Sequence, residues 1–527
     1  MKLAKSLILS SASALLLAGG AQAADLPVKA KAIEYVKVCS LYGPGFYYIP
    51  GTDTCIKLGG YLRVDVVANS NSDNVGNTSG AAGAGNRYTN GYTWRSREDL
   101  NVDTRTATEY GVVRTFFDAT FNWTTDGYAN TGTAGATVYS PIGTVSAPNN
   151  ANAGAGAAGT VGVYYAFIQF AGFTIGKAVS QFSTPWANYP GNSYDGLVGG
   201  GGTVTGVNQF TYTAEFGNGV SLSLSAQDQV AYYQAGVMNL GPLGVGGGAA
   251  GLLGPYGAGD YAGTIAPDLV AMLRVDQTWG LFQASFAAHD NHAAYYGATE
   301  LTGHPDDKWG WAGQLALSIK NIPTGPGDTI NLQGVYTNGA TRYNIQDLAG
   351  SAGANTIYGG TGLPGVYQSV GLGVAPDSVF GAIGGVNTGQ QLVTTWGFRG
   401  AYVHNWNPYW NTSIYGAYAG ITYNDTAKTL LCGVGGVGGS VRTTLNALGG
   451  AITTCNPDYN IAQIGTQTQW TPVKNLTFTA DLTYTHLDQK YAGTVSAPSA
   501  TIGKPAALYE LKDQNTLLLL LRAQRNW

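Results

Sequence analysis

The closing stretch of the chain limits its fold more than any other segment. In Leu517-Leu518-Leu519-Leu520-Leu521-Arg522-Ala523-Gln524-Arg525-Asn526-Trp527, an extended backbone puts Leu517, Leu519, Leu521, Ala523 and Trp527 on one face, because successive strand side chains point to opposite sides. A strand with one apolar face ending on an aromatic needs an apolar medium on that side only. The other end of the chain carries an export pattern. Lys2 and Lys5 precede an apolar run from Leu7 to Ala18, and Ala21-Gln22-Ala23 follows as a small-residue cleavage site. Residues 1–23 are therefore expected to be a cleaved signal peptide. The alternative, an uncleaved anchor, would need the ~20 apolar residues of a spanning helix, and the run is shorter.

No later stretch is long and apolar enough to cross a membrane as a helix. The other structure that satisfies every backbone group in lipid is a closed barrel. Composition agrees: charged residues make up 11%, against about 25% in ordinary globular proteins. Glycine (78 residues) suits turns and long loops, and tyrosine (34 residues) suits interfacial girdles. The formal net charge is −4, and loss of Lys2 and Lys5 with the leader makes it more negative. Nucleic acid is not an expected partner.

Strict period-2 alternation recurs. In Asn475–Leu487, Leu476, Phe478, Ala480, Leu482 and Tyr484 alternate with Thr477, Thr479, Asp481, Thr483 and Thr485; Gly219–Asp228, Leu281–Asp290 and Trp311–Lys320 behave alike. Short turns fall near Thr106–Glu109, Ala171-Gly172, Gly217–Gly219, Trp279-Gly280, Ile322–Gly327, Trp406–Pro408 and Pro472–Asn475. Long Gly-, Asn- and Ala-rich segments lie between them, among them Asn69–Gly91, Gly127–Thr160, Tyr232–Pro267, Gly339–Gly389 and Asp425–Asp458. The expected fold is all-β: a transmembrane antiparallel barrel of about sixteen strands with short periplasmic turns and long external loops. Its strands should run from Leu58 to Trp527, after a periplasmic lead at 24–57.

The four cysteines form two local pairs, Cys39/Cys55 and Cys432/Cys455. In an exported chain these read as disulfides, with connectivity open. Neither spacing is a zinc pattern, so no metal and no cofactor are expected. Gly433-Val434-Gly435-Gly436-Val437-Gly438 matches a dinucleotide-binding pattern but lies in an expected loop without a βαβ unit. His289-Asp290-Asn291-His292 reads as solvated loop rather than metal site, since no further ligand follows from the sequence.

The stretch Val38-Cys39-Ser40-Leu41-Tyr42-Gly43-Pro44-Gly45-Phe46-Tyr47-Tyr48-Ile49-Pro50-Gly51-Thr52-Asp53-Thr54-Cys55, followed by Gly60-Tyr61-Leu62-Arg63-Val64-Asp65, resembles the start of alphaproteobacterial (rhizobial-type) porins. Ala24-Asp25-Leu26-Pro27, Tyr165-Ala166-Phe167-Ile168-Gln169-Phe170-Ala171-Gly172-Phe173 and Arg522-Ala523-Gln524-Arg525-Asn526-Trp527 are similar too. The terminal segment also resembles the insertion signal of outer-membrane proteins, which gives Trp527 that role. The resemblance implies a homotrimeric sixteen-stranded general porin whose third external loop folds inward. The chain departs from the family in Gly-rich insertions around Asn239–Gly259 and Gly350–Gly389.

Strand parity supplies site residues. In Thr93–Arg105 the odd positions Arg95, Arg97, Asp99, Asn101, Asp103 and Arg105 are polar, while Trp94, Leu100 and Val102 oppose them. Arg114 and Asp118 oppose Val113, Phe117, Phe121 and Trp123; Arg63 and Asp65 oppose Leu62, Val64 and Val66. A charge facing lipid costs roughly 2–4 kcal/mol at the midplane, so Arg63, Arg95, Arg97 and Arg114 should line a water-filled lumen. Fixed charges there filter ions and polar solutes; plain lining with local Arg–Asp pairing is the other reading. Glu98 falls on the wrong face and marks a trimer contact, a bulge or a parity error. The loop at 180–208, with Trp186, Tyr189, Tyr194 and Asp195, is the constriction candidate, and Asp195 reads either as its acid or as a turn residue.

The expected function is an outer-membrane porin for passive diffusion of small hydrophilic solutes and ions, embedded in outer-membrane lipid. The alternative is a substrate-selective channel for sugars or anions. An enzyme is not expected, because His289, His292, His304, His404 and His486 form no constellation with a nucleophile. A surface adhesin would bind without conducting.

Overall fold

The computed structural model describes residues 37–69, 92–124, 160–193, 196–202, 205–228, 235–240, 261–297, 299–345, 369–371, 373, 375–433, 442, 446, 450–497 and 507–527. The leader, residues 24–36, Asp195, most of both Gly-rich insertions and residues 434–438 of the glycine motif lie outside these.

Sixteen long strands form one closed antiparallel ring. The first eight are β1 (Cys55–Asn69), β2 (Tyr92–Thr108), β3 (Gly111–Thr124), β4 (Thr160–Phe170), β5 (Phe173–Ala178), β6 (Val207–Glu215), β7 (Val220–Gln227) and β8 (Asp268–Gln277). They are followed by β9 (Gly280–Asn291), β10 (Lys308–Lys320), β11 (Thr329–Asn338), β12 (Thr394–Asn407), β13 (Trp410–Thr422), β14 (Tyr459–Val473), β15 (Leu476–Gln489) and β16 (Gln514–Asn526). Each pairs with its neighbour in the chain, and β16 closes on β1 with Asp65 opposite Arg522. Closure removes the unpaired edges that lipid could not solvate.

Short connections join β2 to β3, β4 to β5, β6 to β7, β8 to β9, β10 to β11, β12 to β13 and β14 to β15, all at one end. Between β4 and β5, Ala171 and Gly172 both have positive φ, 49° and 85°, as the tightest hairpin turns require. Long connections gather at the other end, as the alternation implies.

Parity sets the two surfaces. Leu517, Leu519 and Leu521 are exposed on the outer face, while Thr516, Leu518 and Leu520 are buried inside. Phe216, Trp279, Trp406, Trp410 and Trp470 are exposed near the short turns, and Trp94, Trp123, Trp309, Trp311 and Trp396 near the loops. These are the two interfacial girdles of a membrane barrel. Trp527 donates its backbone N–H to the Gly60 carbonyl at 3.1 Å. Gly60 also makes room for the indole, because a Cβ there would stand 3.0 Å from Trp527 Cζ2.

The barrel starts earlier than expected, at Cys55, because Tyr47–Tyr48 pairs with Cys55–Ile56 and extends β1. Cys39–Cys55 is formed, with Cα atoms 6.1 Å apart, and so is Cys432–Cys455, at 5.7 Å. The connection expected as loop at Asp425–Asp458 holds a helix, α1 (Asp425–Cys432), whose first turn is capped by Asn424 accepting the Ala427 N–H at 2.8 Å. The solvated-loop reading of His289-Asp290-Asn291 is overturned. These residues end β9 and are buried; His289 Nδ1 lies 2.9 Å from Asp268 Oδ1, and Nε2 lies 3.1 Å from the Tyr261 hydroxyl. External connections fold over the wall there, so the strand end is covered. No group of three or more metal-ligating side chains occurs among the described residues.

Candidate functional site

Cross-strand register stacks the lumen-facing residues of β16, β1, β2, β3 and β4 in rows. In the charged row nearest the loops, Arg522, Asp65 and Arg95 are consecutive partners; in the next row down are Gln524, Arg63, Arg97 and Asn122. Tyr61, Asp99 and Thr120 follow, then Gly59, Asn101, Asp118 and Tyr165. Toward the periplasmic turns come Lys57, Asp103, Phe116, Phe167 and Gly176, and finally Cys55, Arg105, Arg114 and Gln169.

In the upper rows, one carboxylate serves three guanidinium groups. Asp65 accepts from Arg95 Nε at 3.1 Å and from Arg522 Nε at 2.7 Å, and Arg63 Nε stands 3.4 Å away. Arg97 donates to Asn122, and its guanidinium lies 5.4 Å from the Tyr164 ring centre. Arg63, Arg95 and Arg97 thus come together as parity implied, joined by Arg522, whose position on the same face as Gln524 was readable from the alternation. Arg114 does not join them. Register places it opposite Arg105, eight residues along β2 from Arg97, about 27 Å at ~3.4 Å per residue. Both arginines hold Asp103: Arg105 Nη2 at 2.9 Å and Arg114 Nε at 3.1 Å.

The opposite wall is occupied by the connection between β5 and β6. A buried loop must find partners for its backbone groups, and a belt of side chains on β9–β15 supplies them. Gln314 donates to the Phe182 carbonyl at 2.8 Å, Gln283 to Ser183 at 3.0 Å and Asn331 to Pro190 at 2.7 Å. Arg399, almost fully buried, donates to the Leu197 carbonyl at 3.1 Å. Gln463 accepts the Val198 N–H at 2.9 Å, and Asp481 accepts that of Ser193 at 2.6 Å. Gly199 permits the contact. Its φ is +87°, and a Cβ would stand 2.4 Å from Phe398 backbone atoms. The loop is therefore inside the barrel, with Phe182 and Val198 buried.

A family model described as the porin subfamily matches residues 25–520. The chain belongs to that family. The porin is 31% identical to porin Omp2b of Brucella abortus (strain 2308) over 328 residues, 59% of this chain and 78% of the relative. It is 34% identical to porin Omp2b of Brucella suis biovar 1 (strain 1330) over 226 residues, 42% of this chain and 53% of the relative. Its fold is similar to that of the outer membrane channel DcaP of Acinetobacter baumannii. The TM-score is 0.50 at 15% identity, over 91% of this chain and 99% of that one. As a porin it is an outer-membrane channel for passive diffusion and not an enzyme.

The site contains residues that the sequence reading did not name. The register shifts between Asp118 and Ala119 against β4, leaving Tyr164 as an extra residue. Such a bulge re-aims side chains: Tyr164 reaches Arg97, and Tyr165 lies 6.2 Å from Phe116 on the same lumen wall. Simple alternation cannot find that pair. Phe116 shares parity with Arg114, so it was open to detection.

Proposed function

We propose that the porin's eyelet lies between the Arg63, Arg95, Arg97 and Arg522 cluster and the inward loop, and that it favours anions. The observation that carries this reading is Asp65, one carboxylate shared by three guanidinium groups. Over the whole wall Lys57, Arg63, Arg95, Arg97, Arg105, Arg114 and Arg522 stand against Asp65, Asp99, Asp103 and Asp118. Asp195, on the loop, is proposed as the acid that completes a transverse field. Small hydrophilic solutes cross by diffusion, with loop and wall setting the size limit. Residues 1–23 are proposed as the cleaved leader and the segment from residue 24 to the start of β1 as the periplasmic lead.

The working unit is proposed to be a homotrimer. Glu98 supports this, because β2 keeps regular register there and Glu98 lies on the outer face between Leu62 and Phe121. A carboxylate among apolar outer residues suits a protein neighbour better than lipid. The test is single-channel conductance of the native oligomer with the reversal potential under a potassium chloride gradient. Ohmic steps in threes with a chloride-favouring potential are expected; a potassium-favouring potential sinks the eyelet assignment.

A further inference from the structure

The polar lumen wall of this barrel is interrupted by a strip of aromatic rings. Phe116 and Phe167 are direct cross-strand partners facing the water, with ring centres 5.4 Å apart and planes 29° from parallel. Tyr165 continues the strip at 6.2 Å from Phe116, and Tyr164 brings it to Arg97. At the lower end, the Arg114 guanidinium stands 5.1 Å from the Phe116 ring centre and 5.5 Å from that of Phe167. None of the four rings is fully buried, and the partner of Phe167 on β5 is Gly176, which adds no side chain beside the ring.

Rings in a water-filled channel lose the burial that normally stabilises them. They do not help a simple inorganic ion, for which the arginines suffice. Arg105 and Arg114 share Asp103, so this cluster holds more positive than negative charge. Arg114 also donates to Gln169 at 2.9 Å. A guanidinium carries five N–H donors, more than these acceptors use, and the side chains of Arg114 and Arg105 are 28% and 29% exposed.

We propose that the strip Tyr164–Tyr165–Phe116–Phe167, with Arg97 at one end and Arg114 and Arg105 at the other, is a lumen binding site for aromatic carboxylates. The carboxylate accepts from the guanidinium N–H groups, and the ligand ring packs on Phe116 and Phe167. The arginines at the two ends lie about 27 Å apart along the wall, with Asp99 and Asp118 on the rows between them, and the rings give an aromatic anion a surface on which to cross that interval. The proposal rests on the reading of this lumen as an anion-favouring path.

The test uses the full-length native oligomer in planar bilayers, with potassium chloride conductance recorded first. Benzoate or acetate is then added, and the dissociation constant is read from current block. Benzoate should bind about fivefold more tightly than acetate, the range of one aromatic contact. Phe116→Ser/Phe167→Ser should abolish the difference, each variant being scored as its own benzoate-to-acetate ratio. Arg114→Gln should weaken both anions. Should the serine pair fail to fold, Phe116→Leu/Phe167→Leu keeps apolar bulk and should still lose most of the preference. Equal binding of benzoate and acetate in a conducting wild-type channel overturns the aromatic site and leaves the porin reading standing. A preference that survives loss of both phenylalanines also overturns it. A potassium-favouring reversal potential overturns the anion path and this site with it.

Discussion

Arg63 and Arg97 lie directly opposite one another on β1 and β2, both on the water side of the wall. Like charges in that position destabilise a sheet. Asp65, on the row above, offsets the repulsion with its carboxylate 3.4 Å from Arg63 Nε, while Arg97 donates to Asn122; the same carboxylate accepts from Arg95 and Arg522.

Asp65→Asn should therefore destabilise the barrel by about 3 kcal/mol, the scale of breaking a buried ion pair from one side. Thermal unfolding in detergent, followed by the loss of the folded band on unheated gels, checks this. An unchanged melting temperature would mean that lumen water already screens the arginines.

Neutralising Arg63 or Arg97 should move the reversal potential toward potassium. One unit charge at contact distance in water amounts to about 1 kcal/mol, so each glutamine variant should lower the chloride-to-potassium permeability ratio roughly fivefold. Arg63→Lys should keep most of the preference.

The inward loop depends on close approach at Gly199. Gly199→Val forces a branched side chain into a positive-φ position against the Phe398 backbone, a conflict of about 1–3 kcal/mol. The loop should leave the wall, and single-channel conductance should rise and become noisy. Conductance equal to that of the wild type would show that the loop does not limit the pore.

The periplasmic turn before β11 gives a pH test. Burial alone would raise the Asp328 carboxyl. It is outweighed by the Asn405 N–H at 2.8 Å and by donors from Thr324 at 2.7 Å, His404 at 2.7 Å and Tyr402 at 3.1 Å. These hold it well below the usual carboxylate range. Its folded-state pKa is thus depressed, so its contribution is full above about pH 4 and is lost as the pH falls through the folded value. Melting temperatures from neutral to strongly acid pH should fall more steeply for the wild type than for Asp328→Asn.

Opening the Cys39–Cys55 link should loosen the lead. The bridge closes a separation of 16 residues, worth about 3 kcal/mol by loop-closure entropy. Cys39→Ser/Cys55→Ser should show that loss in denaturant melts, and reductant should then cost the variant only what opening Cys432–Cys455 costs.

Much of the fold was legible because a barrel in lipid leaves a period-2 record on every strand. Leu517, Leu519 and Leu521 were readable as outer residues, and Arg63, Arg95 and Arg97 as inner ones, by parity alone. Glu98 kept three readings until the regular register of β2 removed the bulge. Tyr164 and Tyr165 were out of reach, since one inserted residue resets the alternation and nothing local marks where. The docking of the inward loop was equally hidden. Gln283, Gln314, Gln333 and Gln463 are uncharged polar side chains like many others on the strands, and only the closed ring shows them as partners for loop carbonyls, the Val198 amide and the Trp186 indole.

The sequence by itself determined the two faces of each strand, and with them the solvent on each side, because side-chain direction follows from the backbone repeat. Tertiary structure decided which charges meet. Strand register put Arg63 beside Arg97, carried Arg114 down to Arg105, and brought Arg522 to Asp65 from the far end of the chain. Register is set by pairing across the whole ring, so no single strand contains it.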